Sequence, residues 1–198
     1  MNSTVSREQA ESAVRILLGY IEGDGTSDPD REGLVKTPER VINSFDELFS
    51  GYGDEAGEIL NSSFNSEGYD GIVLLRDIEF HSTCEHHLLP FNGRAHVAYI
   101  PTKSIVGISK LARLVDMHAR RLQNQERITK AVADELEAHL SPLGSAVIIE
   151  ANHHCMGCRG ARKPHSVMTT SAMRGVFFDR SEARTELMQL IRSAPLSS

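Results

Sequence analysis

Apolar positions recur along this chain with two periods, one helical and one of strand type, and the switches between them outline the elements. Ser6-Arg7-Glu8-Gln9 fits a capping box, and Ala10, Ala13, Val14, Leu17 and Ile21 follow at helical spacing, which predicts an amphipathic opening helix. Gly23 to Asp30 has the composition of a loop, and Thr37-Pro38 then sets a cap and a first-turn proline ahead of Val41, Phe45 and Leu48. Ile72 to Leu75, Ile78 to Phe80 and Ala95 to Ile100 read as strands, the last closed by Pro101, and a β-hairpin is expected among them. From Ser109 the period turns helical again, with Leu111, Leu114, Val115 and Leu122 on one stripe. A following helix carries Ile128, Val132, Leu136 and Leu140 up to Ser141-Pro142. Ala146 to Ile149 and Val167 to Met173 return to strand, and Ser181 to Ile191 to helix. The order α-α-β-β-α-α-β-β-α predicts an α+β fold, an antiparallel sheet with helices on one face, and not a doubly wound parallel sheet.

A chain of 198 residues, 40% of them hydrophobic, suffices for one main core. The N-terminus shows no basic stretch followed by an apolar run, and no segment approaches the roughly 18 apolar residues of a membrane span, so a cytoplasmic protein with no membrane partner is expected. A net charge of -6 argues against a nucleic-acid partner and requires any anionic ligand to be held by a local basic patch. In a reducing compartment Cys84, Cys155 and Cys158 are better read as metal-binding, catalytic or buried thiols than as a disulfide framework.

Metal chemistry is the first candidate. Cys84-Glu85-His86-His87 places a thiol and two imidazoles directly after strand residues, and Cys155 follows a later strand beside His153 and His154. Zinc, a borderline-soft ion, favours both ligand types. Two arrangements stay open on spacing alone. Cys84, His87, Cys155 and Cys158 could close a structural site, or three ligands could leave a position open, with His86, His153 and Glu85 as acid/base neighbours. His81, His96, His118, His139 and His165 are assigned structural roles.

The segment Ser82-Thr83-Cys84-Glu85-His86-His87 resembles the metal motif of the GTP cyclohydrolase I family. Lys36-Thr37-Pro38-Glu39-Arg40, Gly107 to Arg113, Gln123 to Arg127, His153 to Met156 with Arg159-Gly160, and Thr169-Thr170-Ser171 are similar to that family's other motifs, in the same order. The likeness spans about residues 8 to 193. It implies a tunnelling-type fold with a four-stranded antiparallel sheet and paired helices on one face over residues 71–198, preceded by an N-terminal helical extension over 1–70. It implies that Cys84, His87 and Cys155 hold zinc, leaving a position for water, and that Cys158 is an ordinary thiol. His86 would exchange a proton with guanine N7, and His153 would serve as acid/base near the ribose and the departing formyl unit. Glu126 would accept hydrogen bonds from the guanine N1 and amino groups, with Gln125 beside it. Ser109 would lie near the ribose, while Lys110, Arg113 and Arg159 would hold the triphosphate, with Arg40 a further contact.

The reaction so implied opens the imidazole ring of GTP, releases formate, and closes to 7,8-dihydroneopterin triphosphate. The absence of a Gly-x4-Gly-Lys-Ser/Thr loop agrees with a triphosphate used as a handle and not transferred. The family's assembly implies a homo-oligomer, commonly a decamer of two pentamers, with active sites between subunits. Two alternatives are weighed against this reading: a noncatalytic zinc-stabilised nucleotide-binding protein, and a sibling enzyme acting on another purine or a pterin.

Overall fold

The structure, a computed structural model, describes residues 4–23 and 30–193, so most of the loop expected over Gly23 to Asp30 lies outside the described residues. The chain opens with α1 (Arg7–Glu22), α2 (Glu32–Val35), α3 (Thr37–Leu48), a 3-10 turn (Ser50–Gly53) and α4 (Ala56–Leu60). Then come β1 (Ser63–Asn65), β2 (Val73–Cys84), β3 (Pro90–Ile100), β4 (Ser104–Val106), α5 (Ile108–Ala119), β5 (Leu122–Gln123) and α6 (Gln125–Leu140). The remainder is β6 (Gly144–His153), α7 (His154–Gly157), β7 (Val167–Met173), α8 (Val176–Asp179) and α9 (Ser181–Arg192). Among the described residues no helix is long and apolar enough to cross a membrane.

The expected capping box forms. Ser6 Oγ accepts from Gln9 N, and Gln9 Oε1 accepts from Ser6 N, so two end donors of α1 are satisfied reciprocally. Helix α1 packs on α3, yet Ile16, Leu17, Tyr20 and Ile21 remain exposed.

The main sheet has the order β5-β2-β3-β6-β7. It therefore contains five strands where four were expected. Strands β2, β3, β6 and β7 pair antiparallel, and the extra strand β5 lies parallel to β2 through Thr83↔Leu122 and Cys84↔Gln123. Two residues are too few to show alternation, which is why the pattern placed Leu122 on the preceding helix; α5 instead ends at Ala119. A separate pair joins β1 to β4.

The hairpin β2–β3 forms, and the two strand pieces expected before it are one strand. A register shift between Leu75 and Ile78 interrupts it, with Asp77 at φ 59°, a left-handed conformation that Asp tolerates better than most residues. The bulge is held on both sides: Asp77 N donates to His96 Nδ1 at 3.2 Å, and Arg76 donates to the terminal carbonyls of α9, including Ser193 O at 2.6 Å.

Alternation along the strands sorts side chains between two faces. Ala95, Val97 and Tyr99 of β3 and Val147, Ile149 and Ala151 of β6 join Leu111, Leu114 and Val115 of α5 and Ile128, Val132 and Leu136 of α6 in the main core. Residues of the other parity, Ala98, Ile100 and Ala146, join Phe177 of α8 and Leu187 of α9 in a smaller one. Helical residues thus cover part of the second face as well. Burying this many aliphatic side chains, at about 1.5–3 kcal/mol each, supplies the main favourable term.

Candidate metal and active site

Strand direction explains the site's location. Because β3 pairs antiparallel with both neighbours, β2 and β6 run the same way and their carboxyl ends emerge at one end of the sheet. Strand β5, parallel to β2, delivers Gln123 and the start of α6 to that end too. Three segments distant in sequence therefore meet there: the Cys84–Leu88 turn, the His153–Cys155 junction and the first turn of α6.

Cys84 is the last, buried residue of β2. The chain then folds into a tight turn in which His87 N and Leu88 N both donate to Cys84 O, and Leu88 has φ 54°. Cys84 Sγ lies 3.7 Å from Nδ1 of His87 and also 3.7 Å from Nδ1 of His86. What separates the two imidazoles is Cys155: one ligand atom each from Cys84, His87 and Cys155 lies within 4.8 Å of the others. Zinc bonds of about 2.3 Å to sulfur and 2.0 Å to nitrogen imply tetrahedral ligand separations of about 3.5–3.8 Å, so small adjustments of these side chains suffice to hold the ion. Cys155 is pushed above the ordinary thiol range by burial first and by the neighbouring Cys84 second, with Arg159 acting in the opposite sense. Two adjacent thiols resist shedding their protons together, and a cation between them removes that resistance. The donor set fits a divalent, thiophilic metal. Cys158, exposed beyond the end of α7, is not part of the cluster, which has the three-ligand form.

His153 stacks flat on Phe91, with ring centroids 4.5 Å apart and planes 6° from parallel, as the pairing Phe91↔His153 dictates. Its Nε2 lies 2.9 Å from Gln125 Oε1. Burial holds its imidazole below the usual histidine range, and the Glu126 carboxylate works against that shift. Glu126 itself is exposed in the first turn of α6, close enough to His153 for its charge to be felt. His86 is exposed, its Nε2 3.9 Å from Glu85 Oε1.

Gln125 stands where the pattern did not lead one to expect it. It is 0% exposed, and its Nε2 is within 3.0 Å of Ile149 O, Met168 O and Thr170 Oγ1. Both ends of its amide are occupied inside the protein.

Glu85 is the other residue whose part emerges only in three dimensions. Arg127 grips it with two hydrogen bonds of 2.7 and 2.9 Å, Asn124 Nδ2 donates to it at 3.1 Å, and Asn124 Oδ1 caps α6 by accepting from Arg127 N. The Arg127 guanidinium holds the Glu85 carboxyl below its usual range. The metal turn is thus clamped to the helix that carries Glu126. Asn124 just ahead of a helical run was a readable cap signal; nothing local pointed to Phe91, Thr129 or the Glu85–Arg127 pair.

The remaining candidates lie elsewhere. Ser82 Oγ donates to Ala119 O at 2.7 Å, which puts the carboxyl end of α5 beside the metal turn. Ser109 and Lys110 sit at the other end of that helix, about 14–15 Å away along its axis at 1.5 Å per residue, with Arg113 midway, about 9 Å away. Arg40 is exposed in the first turn of α3, and Arg159 in the loop after α7. A single chain brings together Cys84, His86, His87, Glu126, His153 and Cys155, with Arg159 close to Cys155, and leaves the start of α5 apart.

The chain is similar to known proteins along nearly its whole length. The family described as GTP cyclohydrolase I matches residues 10–192. The chain is 50% identical over 190 residues to a Rickettsia prowazekii protein named GTP cyclohydrolase 1, covering 96% of this chain and 98% of that one. It is 51% identical to a Synechococcus protein of the same name, covering 96% and 82%, and 49% identical to a Nostoc protein named GTP cyclohydrolase 1 2, covering 96% and 86%. Among solved structures there is a likeness to an archaeosine synthase QueF-like protein in its apo form, at 17% identity and a TM-score of 0.44, over 52% of this chain and 93% of that one.

Proposed function

Because the chain belongs to the GTP cyclohydrolase I family, we propose that it opens the imidazole ring of GTP, releasing formate and forming 7,8-dihydroneopterin triphosphate, at a zinc site of Cys84, His87 and Cys155. The observation that carries this reading is the meeting of those three ligand atoms with His153 and Glu126 at one end of the sheet. When bound, zinc supplies Lewis acidity that brings the pKa of a coordinated water towards about 7.

The protein's own groups do the rest. Glu126 accepts from the guanine N1 and amino groups, a bidentate pattern that adenine cannot offer. His86, unburied beside the ligand turn, exchanges a proton with N7, and His153 exchanges one at the ribose and departing formyl unit. Arg159, Lys110 and Arg113 hold the triphosphate with Arg40 as a further contact, and Ser109 lies at the ribose. Since Ser109 and Lys110 stand at the far end of α5 from Cys84, with Arg113 midway along it, the complete site combines two copies of the chain in a homo-oligomer, a decamer by family resemblance. The exposed apolar side chains of α1 support such an assembly. Residues 71–198 form the catalytic domain of a tunnelling-type fold, with 1–70 as an extension, and the enzyme works in the cytoplasm.

The test is product identification. Zinc-loaded protein incubated with GTP releases formate and, after oxidation, a fluorescent pterin; GDP and phosphate as the sole products would overturn the reading. The sibling-enzyme alternative is separated by Glu126→Ala, which abolishes the preference for GTP over ATP while keeping the metal. X-ray absorption on the unliganded protein separates the noncatalytic alternative: three protein ligands plus oxygen supports the enzyme, four protein ligands the structural site.

A further inference from the structure

We propose that Gln125 is a positioning residue that fixes the tautomer of His153, keeping the proton on Nε2 and leaving Nδ1 as the nitrogen that faces reaction chemistry. The inference rests on the catalytic reading of His153 and departs from a direct contact between Gln125 and guanine.

The hydrogen-bond directions follow from atoms that have no choice. Ile149 O and Met168 O are backbone carbonyls and can only accept, so the amide atom 2.9 and 3.0 Å from them is the nitrogen. Thr129 Oγ1 donates to Gln125 O at 2.8 Å, which uses its single hydrogen. In the 2.6 Å contact between Thr129 and Thr170 the donor must then be Thr170, which in turn accepts from Gln125 Nε2 at 3.0 Å. The two amide hydrogens are thus shared among three acceptors, Ile149 O, Met168 O and Thr170 Oγ1, none of which has a hydrogen to give to the amide atom facing it. Rotating the amide by half a turn would set its oxygen against two carbonyls, in a place closed off from the solvent surface.

Gln125 Oε1 is thereby fixed as an acceptor, and His153 Nε2, 2.9 Å away, must be the donor. Flipping the imidazole would place a carbon against that buried oxygen and leave it without a partner. The stack on Phe91 holds the ring plane, and the amide sets which nitrogen carries hydrogen. A catalytic histidine is useful only in one tautomer, and a partner that enforces it acts on rate and not on substrate affinity.

The full-length protein labelled with 15N-histidine, studied by magic-angle-spinning NMR at pH 8, reads the tautomer directly, the His153 signal being the one lost in His153→Asn. A pyrrole-type Nε2 with a pyridine-type Nδ1 is expected; the reverse pattern overturns the inference. Gln125→Met should convert the signal to a mixture and lower kcat by roughly 10- to 100-fold at unchanged KM for GTP. In a His153→Ala background it should cost nothing further. A raised KM with kcat intact would make Gln125 a substrate contact and sink the proposal. Thr170→Val, which removes one of the acceptors facing the amide, should give a smaller effect in the same sense and serves if Gln125→Met does not fold. Wild-type protein that released no formate from GTP would overturn the catalytic reading, while the spectrum would still decide the tautomer.

Discussion

His118 offers a sharp test of the packing between α5 and α6. Its side chain is 7% exposed, and Nε2 has no hydrogen-bond partner. Glu135 Oε1 lies 3.8 Å off, too far to bond, while the other oxygen of that carboxylate is 3.2 Å from His139. Burial, aided by the Arg121 charge, depresses the imidazole from 6.5 to about 4. The sign follows from which state binds the proton first. Above pH 6.5 His118 is neutral folded or unfolded and contributes no pH dependence. As pH falls from 6.5 towards 4, the unfolded chain takes up the proton and the native one does not, so stability is lost across that window. At roughly 1.4 kcal/mol per pH unit, the loss between pH 7.5 and 4.5 is on the order of 2–3 kcal/mol. His118→Met fills similar space without a titrating group and should remove that part of the acid sensitivity, with neutral-pH stability unchanged or raised. Urea unfolding followed by circular dichroism at both pH values, at one protein concentration, measures it. Metal loss and the other titrations are common to both proteins and cancel in the difference. If the variant loses as much stability on acidification as the parent, or if the parent gains, the account of a buried neutral histidine is wrong.

Three further outcomes are expected. Cys155→Ser should lower bound zinc by more than roughly 100-fold, read by elemental mass spectrometry, whereas Cys158→Ser should retain it; equal losses would place Cys158 in the metal shell. Glu85→Gln should lower kcat/KM for GTP by about 10- to 100-fold through displacement of the metal turn from α6, with little change in the urea midpoint, since the Arg127 pair is partly solvated; an unaltered kcat/KM would dismiss the clamp. Gly93→Ala should destabilise by about 3 kcal/mol or more in thermal unfolding, because its Cβ would sit 1.9 Å from Glu150 O in the paired strand β6.

The placement of Ser109, Lys110 and Arg113 bears on how the enzyme selects GTP. A chain with net charge -6 repels a triphosphate at long range, and the candidate cations are split between the end of the sheet that carries the Cys84–His87–Cys155 cluster and the first half of α5. On the function and assembly proposed above, base recognition and ring opening would belong to one copy, and most of the phosphate grip to another. That proposal would couple substrate affinity to assembly, since an isolated chain would recognise the purine while lacking much of the anchor that positions it.

The capping box at Ser6, the stripes of α5 and α6, the strand parities around Ala95, Val97 and Tyr99, and the Cys84–His87 and His153–Cys155 clusters were all legible in the amino-acid order, because each depends on neighbours within a turn or two. So was the family, through motifs spread over nearly the whole chain. The choice of His87 over His86 beside Cys155 was implied by the family resemblance and not by spacing, and the structure brings those two together; tertiary structure alone decided that Leu122 leaves its helix to pair with β2 and that Gln125 turns inward to His153. It also set the start of α5 apart from the metal turn. Local periodicity states which face of an element is apolar, but strand direction and register state which ends meet, and those are settled by pairings between segments dozens of residues apart.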